Sequence, residues 1–113
     1  MKRGEVWSVA GGSDYAGKPR PVVIVQDDSF SETASISFCS LTTTDIGPAE
    51  FRASIEPDAD NGLRQRSWAM ADKITTVPRA KLGRRLGRIS PGDMRRLNRA
   101  MLVFLGLARR TQD

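Results

Sequence analysis

A chain of 113 residues with 39% hydrophobic side chains has room for one folded core, and it is too apolar for a disordered tail. It holds one cysteine and no histidine. That excludes an internal disulfide, four-thiolate and zinc–histidine sites, Ser-His-Asp triads and paired-histidine nuclease chemistry. The net charge of +5 joins two unlike halves: residues 1–60 carry five Lys/Arg against ten acids, residues 61–113 thirteen against three. The basic half points to an anionic partner such as nucleic acid, an acidic protein segment or a membrane surface; a solvated basic face fits the same composition.

Glu5-Val6-Trp7-Ser8-Val9 alternates polar and apolar residues and predicts a half-buried strand. Residues 10–19, with three glycines and Pro19, predict a loop long enough to cover a site. Four β-branched residues in Pro21-Val22-Val23-Ile24-Val25-Gln26 predict a strand covered on both faces, near the sheet centre and opened by Pro21. Asp27 to Ser31 reads as a turn. Ser35 to Leu41 alternates again and reads as a strand in which Cys39 is a small buried hydrophobe. Glu50 to Ile55 is a further strand, closed by the turn Pro57-Asp58-Ala59-Asp60-Asn61-Gly62. Ser67–Ala71, Lys73–Val77 and Arg85–Ile89 read as three more short strands.

Ser90-Pro91-Gly92-Asp93 supplies a helix N-cap, a proline at the first helical position and an acid at the third. Met94, Leu97, Met101, Phe104, Leu105 and Ala108 follow at helical spacing, with Arg95, Arg96 and Arg99 on the other side. Met94, Leu97 and Met101 read as core. From Met101 onward the helix is apolar nearly all round, so its end is either enclosed by the domain or faces a second subunit. The expected architecture is a single domain over residues 1–113, mainly β, with a small, strongly curved antiparallel sheet or barrel and a C-terminal helix packed against it. No secretory apolar run follows Lys2-Arg3, and the apolar stretch Met101–Ala108 is far short of the ~20 residues of a membrane helix. The expectation is a cytoplasmic protein without a membrane partner.

The pieces carry information through their order. Arg3-Gly4-Glu5-Val6-Trp7 opens the chain, and Gly17-Lys18-Pro19-Arg20-Pro21 leads into the β-branched strand. Ser40-Leu41-Thr42-Thr43 ends a later strand, Gly62-Leu63 precedes Ala71-Asp72-Lys73-Ile74-Thr75-Thr76-Val77, and Leu86-Gly87-Arg88-Ile89 leads to the apolar helix. Over essentially its whole length the chain resembles the MazF/PemK family of toxins from toxin–antitoxin pairs. That resemblance implies a compact β-barrel-like fold acting as a homodimer. It implies a sequence-specific endoribonuclease that cuts single-stranded RNA without metal or cofactor, and an antitoxin whose acidic or disordered tail covers the RNA site. Motif by motif, the family's catalytic arginine falls on Arg20, its catalytic threonine on Thr42, and an acid implicated in some members on Asp72. Tyr15, Lys18, Ser40, Thr43 and Lys73 are the accompanying RNA-binding candidates. The chain departs from the family pattern in having no first-loop histidine, Ser40 where proline is common, and Met70 where some members have arginine.

The residue types suit the chemistry. Metal-free cleavage uses the 2′-hydroxyl as nucleophile and needs donors to the phosphate; arginine and threonine supply them. General acid and base work falls to Asp72, Lys18, Tyr15, an arginine or water. Each candidate also has an ordinary structural reading: Arg20 as a surface residue, Thr42–Thr44 as β-prone residues at a strand end, Asp72 as an acid paired with Lys73 or an arginine, and Tyr15 and Lys18 as solvated loop positions. Trp7 and Trp68 read as core or interface aromatics. Arg79, Lys81, Arg84, Arg85 and Arg88 fit an RNA backbone, an acidic antitoxin tail or simple solubility. A gyrase inhibitor of the CcdB type, on a similar fold, is the alternative from another class, and a family member retaining only antitoxin binding is a third reading.

Overall fold

In the computed structural model, which describes residues 1–10 and 18–108, six strands form one antiparallel sheet and a single α-helix follows. The strands are β1 (Glu5–Val9), β2 (Arg20–Ile24), β3 (Ser35–Thr42), β4 (Arg52–Ile55), β5 (Ser67–Pro78) and β6 (Leu82–Arg88); the helix α1 spans Pro91–Phe104. Their order across the sheet is β4-β5-β3-β2-β1-β6. The β-branched strand β2 is interior, as its composition predicts. Val22 and Ile24 enter one apolar cluster with Ile36 and Phe38, while Val23 enters the other with Val6, Cys39, Leu41 and Leu97. Period-two alternation along β2 and β3 thus feeds two cores on opposite faces.

The strands predicted as Ser67–Ala71 and Lys73–Val77 are one strand. Both halves pair with β3, and between Cys39↔Ile74 and Leu41↔Ala69 the register slips so that β5 spends extra residues, Asp72 among them. A bulge leaves the same signature in sequence as a turn, a polar break between two apolar runs. The other strands start or stop within a few residues of expectation. β2 ends at Ile24, where the Gln26 side chain takes over by accepting from the Ser37 N–H at 2.9 Å. The turn at Asp27–Ser31 is one 3-10 turn, capped by Asp27 accepting from the Ser29 N–H at 3.0 Å.

The helix starts as predicted: Ser90 Oγ accepts from the Asp93 N–H at 3.0 Å, with Pro91 in the first turn. It stops in a Schellman turn, in which Gly106 (φ +76°) donates to Val103 O and Leu107 donates to Leu102 O. Leu97 and Ala100 are buried against the sheet, with Met94 and Met101 packed beside them. The helix end is not enclosed: Leu102, Phe104, Leu105 and Leu107 are exposed.

The sheet does not close into a barrel by strand pairing. The connection from β4 to β5 instead lies against edge strand β6, where the Arg88 N–H donates to Asp60 O at 2.9 Å. This contact requires glycine on both sides. A Cβ on Gly87 would stand 2.2 Å from Asp60 O, and one on Gly62 would stand 2.3 Å from Leu86 O. Asn61, fully buried between them, donates to Glu56 O at 2.8 Å and accepts from the N–H groups of Asp58 and Leu63 at 3.3 and 3.0 Å.

Candidate functional site

Arg20 is the first residue of β2 and is exposed. Pro21 keeps it extended, because a residue before proline avoids the helical region. It faces Val9 across β1. On the other side β2 pairs with β3 through Val22↔Ser40, and Arg20 and Thr42, the last residue of β3, each lie two residues beyond that pair at the same end of the sheet. Thr42 is half-buried, and its Oγ1 accepts from the Thr44 N–H at 3.1 Å. With the oxygen used as acceptor there, the hydroxyl proton is available to a ligand.

Arg20 opens onto a cleft of about 750 Å3 whose walls include Pro21, Thr43, Leu63, Arg84 and Leu86. Arg64 lines it too, so the charged rim draws one arginine from the acidic half of the chain and two from the basic half. Sequence reasoning singled out Arg20 and Thr43 but not Arg64, and Arg84 only as one of a basic run. That run divides in the structure. Arg79 donates to the carbonyls of Ser31 and Thr33 and to Met1 Sδ, and Arg85 is paired with Glu5 at 2.9 Å. Burial by itself would raise the Glu5 carboxyl, but hydrogen bonds from the Lys2 N–H, Trp7 Nε1 and Arg85, with the Arg85 charge, hold it below its ordinary value of 4.5.

The remaining predicted site residues scatter. Lys18 is exposed, two residues before Arg20, and Tyr15 lies outside the described residues. Ser40 is half-buried in the β2–β3 ladder. Lys73 is exposed on β5, and neither it nor Asp72 nor Thr42 lines the cleft. Asp72 takes Arg52 Nε and Nη2 on its two carboxylate oxygens at 3.3 and 3.1 Å. Among the described residues no three His, Cys, Asp or Glu side chains gather as a metal-ligand set, and no helix is long and apolar enough to cross a membrane.

A second cleft, about 420 Å3, lies near the start of β5. Arg52, Ser54, Arg66 and Trp68 line it, with Asp45 from the segment after Thr43. The Arg66 guanidinium stands 5.0 Å from the centre of the Trp68 ring and pairs with Glu56 at 3.0 Å.

Known proteins share both the sequence and this architecture. The chain is 48% identical over 108 residues to a probable endoribonuclease MazF of Mycolicibacterium smegmatis, covering 96% of this chain and 99% of the relative. It is 29% identical over 117 residues to the endoribonuclease MazF9 of Mycobacterium tuberculosis, covering 95% and 98%. Among solved structures, a mycobacterial endoribonuclease in complex with its cognate antitoxin superposes with a TM-score of 0.82 at 28% identity, covering 97% of this chain and 99% of that one. The family model of the PemK-like, MazF-like toxins matches residues 2–105. With that match spanning all six strands and the helix, the chain belongs to the PemK-like, MazF-like toxins of type II toxin–antitoxin systems.

Proposed function

We propose that this chain is the endoribonuclease toxin of its pair and cuts single-stranded RNA at Arg20 and Thr42. The observation that carries this reading is their placement: Arg20 and Thr42 each lie two residues beyond the Val22↔Ser40 pair of neighbouring interior strands, and Arg20 and Thr43 line a cationic cleft, in a chain that matches named endoribonucleases along nearly their full length. RNA cleavage is thereby favoured over gyrase inhibition.

In this mechanism the 2′-hydroxyl oxygen attacks the adjacent phosphorus and the bond to the 5′-oxygen breaks. The products are a 2′,3′-cyclic phosphate and a 5′-hydroxyl. The 2′-hydroxyl loses its proton, and the leaving oxygen gains one. Arg20 donates to the phosphate oxygens as negative charge builds on them, and one such oriented donor is typically worth ~3–4 kcal/mol of barrier. Thr42 adds a hydroxyl donor to the same phosphate. Arg64 and Arg84 hold neighbouring phosphates. The chain has no histidine, so no imidazole takes part in either proton transfer. With both oxygens engaged by Arg52, Asp72 is a positioning residue that fixes Arg52 and the bulge opposite Ser40.

The exposed apolar end of α1 suits a second copy of the chain, which supports a homodimer. The cationic rim suits an acidic antitoxin segment competing with RNA. The decisive experiment incubates the purified protein with long single-stranded RNA in EDTA. Discrete fragments with cyclic phosphate ends, absent for Arg20→Ala, are expected. Loss of cutting on chelation, full activity of Arg20→Ala, or gyrase inhibition without RNA cutting overturns the reading.

A further inference from the structure

We propose that the second cleft is a base-stacking subsite, with Trp68 as its platform, that takes a nucleotide adjoining the cleaved phosphate and helps set cleavage specificity. The proposal rests on the RNA-cleavage reading above.

Position is the first argument. Trp68 is directly opposite Thr42 in the β3–β5 ladder and opposite Ser54 in the β4–β5 ladder. Directly opposed residues share a sheet face, so the indole stands next to the Thr42 side chain. Both clefts draw on these strand ends: Thr43 and Ser67 line the first, Asp45 and Trp68 the second. A strand with its scissile phosphate at Arg20 and Thr42 presents a neighbouring nucleotide to Trp68.

The environment of the indole is the second argument. A tryptophan retained for packing alone belongs in a core, but Trp68 joins neither apolar cluster; it is half-buried on the wall of an open cleft. Its ring faces the Arg66 guanidinium at 5.0 Å. An indole beside a planar cation is a surface on which an unstacked base settles, and RNA single strands are read through splayed bases on aromatic and guanidinium planes.

Charge divides the labour between the clefts. Arginines Arg20, Arg64 and Arg84 line the first, which suits phosphates. In the second, Arg52 is matched by Asp72 and Arg66 by Glu56, and Asp45 adds an acceptor. That balance suits a neutral base with polar edges rather than a second phosphate.

The test uses the whole chain and mixed-sequence single-stranded RNA. In Trp7→Phe/Arg20→Ala, Trp68 is the only tryptophan and the RNA stays uncut; its emission should be quenched by single-stranded RNA and much less by duplex. Unchanged emission overturns the proposal. In the active chain, Trp68→Ala should cut about tenfold more slowly and lose base preference at one position beside the cut, while Trp68→Phe keeps that preference. Arg66→Ala, a change at an exposed side chain, should weaken preference at the same position without loss of folding. Slower cutting of an unchanged set of sites by both Trp68→Ala and Arg66→Ala means a structural role and overturns the proposal. If the wild-type chain cuts no RNA, the cleavage reading falls, and the fluorescence titration still decides whether Trp68 meets RNA.

Discussion

Arg52 on β4 offers two guanidinium nitrogens to the two carboxylate oxygens of Asp72 on β5, with 11% and 20% of the respective side chains exposed. The pair spans the bulge that interrupts β5 opposite Ser40. Breaking a fully buried pair costs ~3–5 kcal/mol. With this exposure, Arg52→Ala and Asp72→Asn should each cost about 1–3 kcal/mol in urea unfolding, and the double variant less than their sum. Cleavage per folded molecule should fall only several-fold in Asp72→Asn, with an unshifted pH profile. A loss of ~10²-fold or more, with a changed acid limb, would make Asp72 the general base instead.

Arg20 is exposed at a strand start, so Arg20→Ala should leave stability within about 0.5 kcal/mol. RNA cutting should drop by ~10²–10³-fold. Arg20→Lys should recover little, because an ammonium does not reproduce the planar fork of donors. Thr42→Val, which keeps the shape and removes the hydroxyl, should lose activity while melting near the wild-type temperature. Parallel melting curves and fragment yields check all three.

Gly62 faces the backbone of Leu86, and Gly87 that of Asp60 and Asn61, with no space for a methyl group at either. Gly87→Ala meets carbonyl and main-chain atoms of Asp60 and Asn61, which cannot rotate away. Overpacking of this kind costs on the order of 1–3 kcal/mol. Gly62→Ala adds the strain of a positive φ of 72°. Both should lower the denaturation midpoint and deprotect the Arg88 amide in hydrogen exchange. Gly47→Ala, at φ 84° with nothing within 4 Å, should cost less.

Burial pushes the Cys39 thiol up to about 12, the charge of Arg3 opposes that rise, and the charge of Asp72 adds to it. At neutral pH it is a protonated, fully buried thiol and a poor nucleophile. Iodoacetamide should leave it unmodified in the native protein and label it on unfolding in urea. Cys39→Ser, burying a hydroxyl among apolar neighbours, should destabilise more than Cys39→Ala.

Glu5 is held below its ordinary value of 4.5 despite burial. A carboxylate that is more acidic folded than unfolded stabilises above its unfolded pKa. That contribution fades as pH falls through the folded value. Between about pH 6 and pH 3 the wild type should therefore lose more stability than Glu5→Gln, whose profile lacks this step. Arg85→Ala should remove part of the step. Urea midpoints across the series give the comparison.

Local patterns reached most of the fold. Alternation in Ser35–Leu41, the β-branched run at Val22–Val25 and the cap at Ser90 each depend on neighbours in sequence, so each was legible. The continuity of β5 through Asp72 was not, because a polar break is the same string of residues whether the chain turns or bulges. The seal on β6 was not either: Asn61 looks like an ordinary turn residue until Gly87, 26 positions later, is brought against it. At the site, Arg20 stood out through its flanking prolines and its place in the motif order. Arg64 and Arg84 did not, since nothing local separates an arginine on a cleft wall from one in solvent. Trp68 reads as a core or interface aromatic, and only the β3–β5 ladder puts it opposite Thr42.

The pairing of β1 with β6, and of Arg3 with Asn98 Oδ1 at 2.6 Å, ties the beginning of the chain to its last elements. The first cleft takes Ser8 and Arg20 from one end and Gly83, Arg84 and Leu86 from the other. A ribosome releasing this polypeptide in order therefore exposes Arg20 long before the wall opposite it exists. The cleft proposed to cut RNA thus stays unfinished until β6 has left the ribosome.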